Sequence, residues 1–154
     1  MDQVTCIVAT TFETSLTRGK IYEVLSANTD KSELRIIDDT NTQNWFPNYC
    51  FSDGVVDIMK VKHYEITDDI QFPYLGTVEV TLTVTVGEDL TKRWCYFLTP
   101  AYMYKTFAGL HPEPGIFGAH GIVIPLLNRE NIEAAIIYLE NENLVEKCTL
   151  PMEP

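Results

Sequence analysis

Apolar and polar residues alternate most regularly over residues 77–86, where Val78, Val80, Leu82, Val84 and Val86 hold the even places and Thr or Glu the odd ones. A period of two predicts a strand with one dry and one wet face. Gly87, Glu88 and Asp89 then predict a turn, and residues 93–98 the antiparallel partner. The period changes near the C-terminus, where Ile132, Ala135, Ile136 and Leu139 recur at i, i+3, i+4, i+7. That spacing predicts an amphipathic helix, capped by Asn128, with Glu130 and Glu133 at its positive end and Asn141 to Asn143 ending it. Thr99 and Pro100 predict the N-cap and first position of a shorter helix. Gly109, Pro112, Pro114 and Gly115 interrupt the chain beyond that helix, so residues 111–115 read as a loop. Residues 121–124 read as a buried strand ended by Pro125, and residues 144–150 as a closing strand.

The first third of the chain has shorter segments. Residues 4–10, 21–25 and 33–38 read as strands separated by polar turns at 17–20, 26–32 and 39–44, and Trp45 restarts extended structure that Pro47 ends. Short strands about a dozen residues apart predict a small barrel. Residues 55–61 continue as a strand, so Ser52, Asp53 and Gly54 form a turn between two halves, 1–54 and 55–154, that pack together. Residues 63–73 read as an acidic link. The fold class expected is α+β: a small N-terminal β-barrel packed on an antiparallel sheet carrying one long and one short helix.

Two motifs carry a family resemblance. The order Leu16-x-x-Gly19-x-x-Tyr22-x-Val24-Leu25, two hairpins, then Trp45-Phe46-Pro47-x-Tyr49-x-Phe51 resembles bacterial SH3-like domains over roughly residues 4–56. The resemblance implies a barrel closed around a short 3₁₀ turn, with Pro47 and Tyr49 matching positions of the groove for polyproline ligands. The family's acidic loop with its tyrosine pair, and its groove tryptophan near Leu34 and Arg35, have no counterpart here. The sheet-and-helix pattern of residues 55–154 is similar to small bacterial immunity-type proteins. Trp45, Phe46, Tyr49 and Phe51 either fill the barrel or, in the case of Trp45 and Tyr49, stand exposed as anchors for a partner.

Charge narrows the partners. Eleven Lys and Arg against 22 Asp and Glu give a net charge of −11. Splitting after Gly54 leaves four basic against eight acidic residues before it and seven against 14 after it, so the excess is general. Nucleic acid and anionic membrane surfaces are repelled by such a field, and basic proteins attracted. Cys6, Cys50, Cys95 and Cys148 lie far apart with no Cys-x-x-Cys spacing, and so read as buried free thiols. No export signal or bilayer-length apolar run is apparent, which together with free thiols suits a cytoplasmic protein.

Candidate chemistry is sparse. His111 and His120, near Glu113, could supply a metal ligand or general base, but no His-Glu-x-x-His or paired-Cys motif accompanies them, and no Gly-rich run precedes a helix. No cofactor or metal is expected. The reading is a non-enzymatic acidic binding protein, of the immunity type that neutralises a cognate basic toxin by direct contact. The expected contact residues are Glu133, Glu140 and Glu142 along the exposed side of the last helix, with Asp38, Asp39, Trp45 and Tyr49 as a second patch. The alternative is an SH3-like adaptor or phage or mobile-element protein, holding a peptide or small ligand between the two halves in a pocket bounded by Tyr49, Tyr102 and His111.

Overall fold

A computed structural model of the chain describes residues 2–67, 76–108 and 120–153. Two antiparallel-rich sheets and a few helices make it an α+β protein. The chain divides into two compact units, one formed by Met1–Ile58 with Asn141–Asn143 and the other by Met59–Glu140 with Leu144–Pro154.

The first unit contains β1 (Gln3–Cys6), β2 (Ile21–Asn28), β3 (Glu33–Ile37), β4 (Gln43–Pro47), a 3₁₀ turn (Asn48–Cys50) and β5 (Phe51–Asp53). All neighbours are antiparallel in the order β4-β3-β2-β1-β5. β1 is shorter than its β-branched sequence predicts. Beyond Cys6 the chain leaves the ladder, because the N–H groups of Ile7 and Val8 both donate to the Cys50 carbonyl, at 2.7 and 3.2 Å. β2 is longer than predicted, since Ser26, Ala27 and Asn28 pair with Arg35, Leu34 and Glu33 after a bulge at Leu25.

No closed barrel is detected among the described residues, since no ladder joins β4 to β5. Pro47 ends β4, the 3₁₀ turn comes at once, and the three residues of β5 are all engaged with β1. The core of the unit is Val4, Cys6, Leu16, Tyr22, Ile36, Phe46, Cys50 and Phe51. Gly19 makes the turn into β2 possible. Its φ of +86° lies in the left-handed region, and a Cβ there would stand 2.9 Å from Ile58 Cδ1.

The second unit contains β6 (Met59–Ile66), β7 (Val78–Val86), β8 (Asp89–Leu98), α1 (Pro100–Ala108), β9 (Gly121–Val123), α2 (Arg129–Asn141), α3 (Val145–Cys148) and β10 (Leu150–Pro151). Strand order is β10-β8-β7-β6, with β9 also on β8. The alternating run of β7 turns Val78, Val80, Leu82 and Val84 into the core, against Cys95 and Phe97 of β8 and Ile132, Ile136 and Leu139 of α2. Asn128 caps α2 through the Asn131 N–H at 2.8 Å, and Thr99 caps α1 through the Tyr102 N–H at 3.2 Å.

Four expectations for the chain beyond Gly54 are corrected. Residues 55–58 are not strand, and β6 begins at Met59 and runs on through His63 to Ile66, where a link was expected. β9 pairs with β8 in parallel, so the sheet is mixed. The closing strand at 144–150 is replaced by a third helix, α3, and only Leu150–Pro151 is strand. The reason is local: Asn143 takes φ 55°, which lets the Leu144 N–H donate to the Leu139 carbonyl at 2.7 Å and reverse the chain, and Val145 is then buried from a helical turn. The predicted loop at 111–115, and Asp68 and Asp69 of the predicted link, lie outside the described residues.

Candidate binding face

Side-chain alternation sorts the first unit's sheet into two faces. Ile36 and Phe46 point into the core, so their neighbours on β3 and β4, Arg35, Ile37 and Trp45, point outward, and Arg35 lies directly opposite Trp45 in the ladder. Tyr22 is buried on β2, which leaves Ile21, Glu23 and Leu25 outward by alternation, with Leu25 the extra residue of the bulge. The result is an outer face with four large apolar side chains, Ile21, Leu25, Ile37 and Trp45, each 41 to 45% exposed.

A hollow of about 360 Å³ is sunk into this face, lined by residues 20–23, Leu25, Ile37, Asp38, Asp39 and Asn41. Asp39 organises its polar end. Lys20 Nζ donates to Asp39 Oδ1 at 2.5 Å, the Tyr22 hydroxyl to the same oxygen at 3.0 Å, and the Thr17 hydroxyl to Oδ2 at 2.6 Å. Burial works against the ionised carboxylate, but the donors Lys20, Thr17 and Tyr22 outweigh it and hold the Asp39 carboxyl below its ordinary range. Burial pushes the Tyr22 phenol well above its ordinary value, and the hydrogen bond it gives to Asp39 adds to that rise. The phenol is therefore a fixed donor here.

Asp38, expected in the second contact patch, is not exposed. Its side chain is buried and staples the turn between β3 and β4: Oδ1 accepts from the Thr40 N–H at 2.9 Å, the Thr40 hydroxyl at 2.6 Å and the Thr42 N–H at 3.1 Å, and Oδ2 accepts from Asn44 Nδ2 at 2.9 Å. Burial opposes the charge. Together the hydrogen bonds from Thr40, Asn44 and Thr42 outweigh it and bring the carboxyl down to about 2.

The four aromatics left open by the sequence divide evenly. Phe46 and Phe51 are buried, with Phe12 edge-on to Phe46 at 5.4 Å and Tyr22 to Phe51 at 6.2 Å. Trp45 is 43% exposed and Tyr49, on the 3₁₀ turn, 60%.

Glu133, Glu140 and Glu142, expected along the exposed side of the last helix, are only partly exposed. Glu133 accepts the hydroxyl hydrogen bond of Tyr64, which Arg129 Nη1 also approaches at 3.4 Å, and Glu140 Oε2 accepts the Val61 N–H at 2.7 Å. Both carboxylates clasp the helix to β6 and are only partly exposed. Glu142, just beyond α2, is likewise partly buried. Of the alternative pocket, Tyr49 and Tyr102 belong to different units and His111 lies outside the described residues.

His120, weighed as a base, packs edge-on between two rings, 4.5 Å from Trp94 and 5.1 Å from Tyr96. Among the described residues no group of three His, Cys, Asp or Glu could hold a metal ion. All four cysteines are free, and burial pushes the thiols of Cys6 and Cys50 up to about 11 and that of Cys95 up to about 12.

Lys20, Ile21, Tyr22, Glu23, Leu25 and Ile37 are not marked as site residues by the sequence. A usable signal was present in the Ile36-Ile37 doublet, since a strand cannot bury both neighbours on one face. Among the described residues no helix is long and apolar enough to cross a membrane. No protein-family model, no curated protein and no solved structure matches the chain.

Proposed function

We propose that this chain is a non-enzymatic cytoplasmic binding module that captures a basic protein, in the manner of immunity-type proteins that neutralise a cognate toxin. The observation that carries the reading is the exposure of Trp45 and Tyr49 beside buried Phe46 and Phe51 in a protein of net charge −11. Exposed aromatics on a firmly packed support are the usual anchors of protein interfaces, and each is worth about 2 kcal/mol or more when fully desolvated. The negative field speeds and orients the approach of a basic partner before those anchors engage. Charge brings the partner in and aromatic contact keeps it.

The test is affinity capture from the native host followed by association kinetics with the purified partner. The expected result is a basic protein whose association rate falls at least about tenfold between low and high salt, and whose affinity drops about thirtyfold with Trp45→Ala or Tyr49→Ala. An association rate indifferent to salt, or turnover of a small compound by the purified chain, refutes the reading. A second reading has its own support. The order β4-β3-β2-β1-β5, with a 3₁₀ turn ahead of β5, favours an SH3-like first unit acting as an adaptor for a peptide.

A further inference from the structure

We infer that the hollow between β2 and the turn after β3 receives a basic peptide segment in which one large apolar side chain is flanked by Arg or Lys. The inference rests on the proposed capture of a basic protein and names where on the first unit the capture is read out.

Size and wall chemistry come first. At about 360 Å³ the hollow sits near the lower end of the roughly 300–1,000 Å³ typical of ligand sites, so it suits one or two side chains rather than a large cofactor. Ile21, Leu25 and Ile37 form the apolar part of its wall, and all three are more than two-fifths exposed. Covering them recovers the transfer free energy that they forgo in water. An apolar side chain is the complementary occupant.

Charge then selects its neighbours. The residues around the hollow include Glu23, Asp38 and Asp39 against the single ammonium of Lys20, a formal local charge of −2, with the Asp38 carboxylate buried in the turn behind the wall. Asp39 is already held by three donors and stays ionised, while the Glu23 side chain makes no hydrogen bond or ion pair among the described residues. Glu23 is therefore available for an incoming guanidinium or ammonium. The Lys20 side chain is half exposed, so it can swing away as a second cation approaches Asp39. A second copy of the chain is disfavoured as occupant, because it brings the same negative face and the same net charge.

The hollow is also preformed. Asp38 pins the turn that makes one wall, and the bulge at Leu25 fixes the other, so little ordering is required on binding. Trp45 lies on the same outer face, next to the strand that carries Ile37, and extends the apolar surface available to the flanking residues of a longer segment.

The experiment is a titration of the ¹⁵N-labelled full chain with the capped peptide acetyl-Gly-Arg-Leu-Arg-Gly-amide, monitored by amide chemical shifts. Two control peptides replace both Arg by Glu, or Leu by Ser. Expected are saturable shifts confined to residues 20–25 and 37–41, weakened at least about fivefold with either control and about tenfold with Glu23→Lys or Ile37→Glu. Shifts centred elsewhere, equal binding of the Glu peptide, or no saturable shift up to about 5 mM overturns the inference. If Ile37→Glu disturbs the spectrum beyond its neighbours, Glu23→Lys on the open surface decides alone. A captured basic protein whose affinity survives both substitutions removes the hollow from the contact but leaves the capture reading standing. Peptide binding at the hollow in a chain that captures no basic protein does the opposite.

Discussion

Asp38 offers the sharpest test of how the first unit is held together. One buried carboxylate accepts four hydrogen bonds across the turn joining β3 to β4, and all four donors come from Thr40, Thr42 and Asn44. In Asp38→Ala the ionised acceptor of all four bonds is removed, and because Thr40, Thr42 and Asn44 are exposed their donors turn to water, so the net loss is that of hydrogen bonds to a charged group, about 1–3 kcal/mol. A second route gives a similar figure. The folded-state value of about 2 against an ordinary 3.8 corresponds to roughly 2 kcal/mol of stability held by the ionised form. The sign comes from the depressed folded value. The contribution is fully present above the unfolded value of 3.8 and declines as pH falls from there through about 2.

The assay can be confined to this unit because the chain has two tryptophans, and only Trp45 belongs to it. In a Trp94→Phe background, Trp45 fluorescence reports urea unfolding of the first unit. Asp38→Ala should lower its stability at pH 7 by about 2 kcal/mol, and Asp38→Asn, which keeps the shape and one acceptor, by about 1 kcal/mol. The gap between parent and Asp38→Asn should narrow as pH falls below about 4 and largely close near 2. A loss below about 0.5 kcal/mol for the alanine variant, or a gap that does not change with pH, refutes the account.

Glycine geometry and thiol burial give two further outcomes. Gly19→Ala should destabilise the first unit by about 1–2 kcal/mol, and by more than Gly54→Ala, because both glycines have positive φ but only at Gly19 does a Cβ meet a neighbour; equal or reversed losses by urea unfolding would contradict this. Iodoacetamide at pH 8 should leave Cys95 unmodified in the folded chain, since burial excludes the reagent and a thiol near 12 is ionised in only about one molecule in ten thousand. Cys6 and Cys50 should resist as well, and mass spectrometry showing Cys95 alkylated as fast as in urea would overturn the assignment.

The parts of the fold governed by local periodicity were legible in the sequence. The run from Val78 to Val86 could only be a strand with one face buried, and Asn128 and Thr99 sit where a helix start needs an acceptor. What was not legible depends on backbone geometry and on partners that hydropathy does not record. Leu144 and Val145 have strand-like side chains, yet the left-handed Asn143 and the Leu139 carbonyl convert the segment to a helical turn. Glu133 and Glu140 stand beside the buried stripe of α2, but their engagement depends on the register of β6, which puts Tyr64 and the Val61 N–H within reach. Trp45 and Tyr49 could not be assigned to core or surface, because the same aromatic content serves either. The bulge in β2 and the buried side chain of Asp38 both lie at the hollow, and neither leaves a mark in hydropathy.

The carboxylate of Glu140 on the Val61 N–H has a consequence for colloidal behaviour. Among the described residues β6 is the last strand of its sheet, and a bare outer strand is a template on which another molecule can add its own backbone. By occupying one of the donors in the middle of that strand, α2 shields the sheet from strand-to-strand growth without lengthening the chain or inserting a proline. Lys60 and Lys62 on either side add like-charge repulsion between stacked copies, so this rim disfavours fibril formation while the unit remains folded.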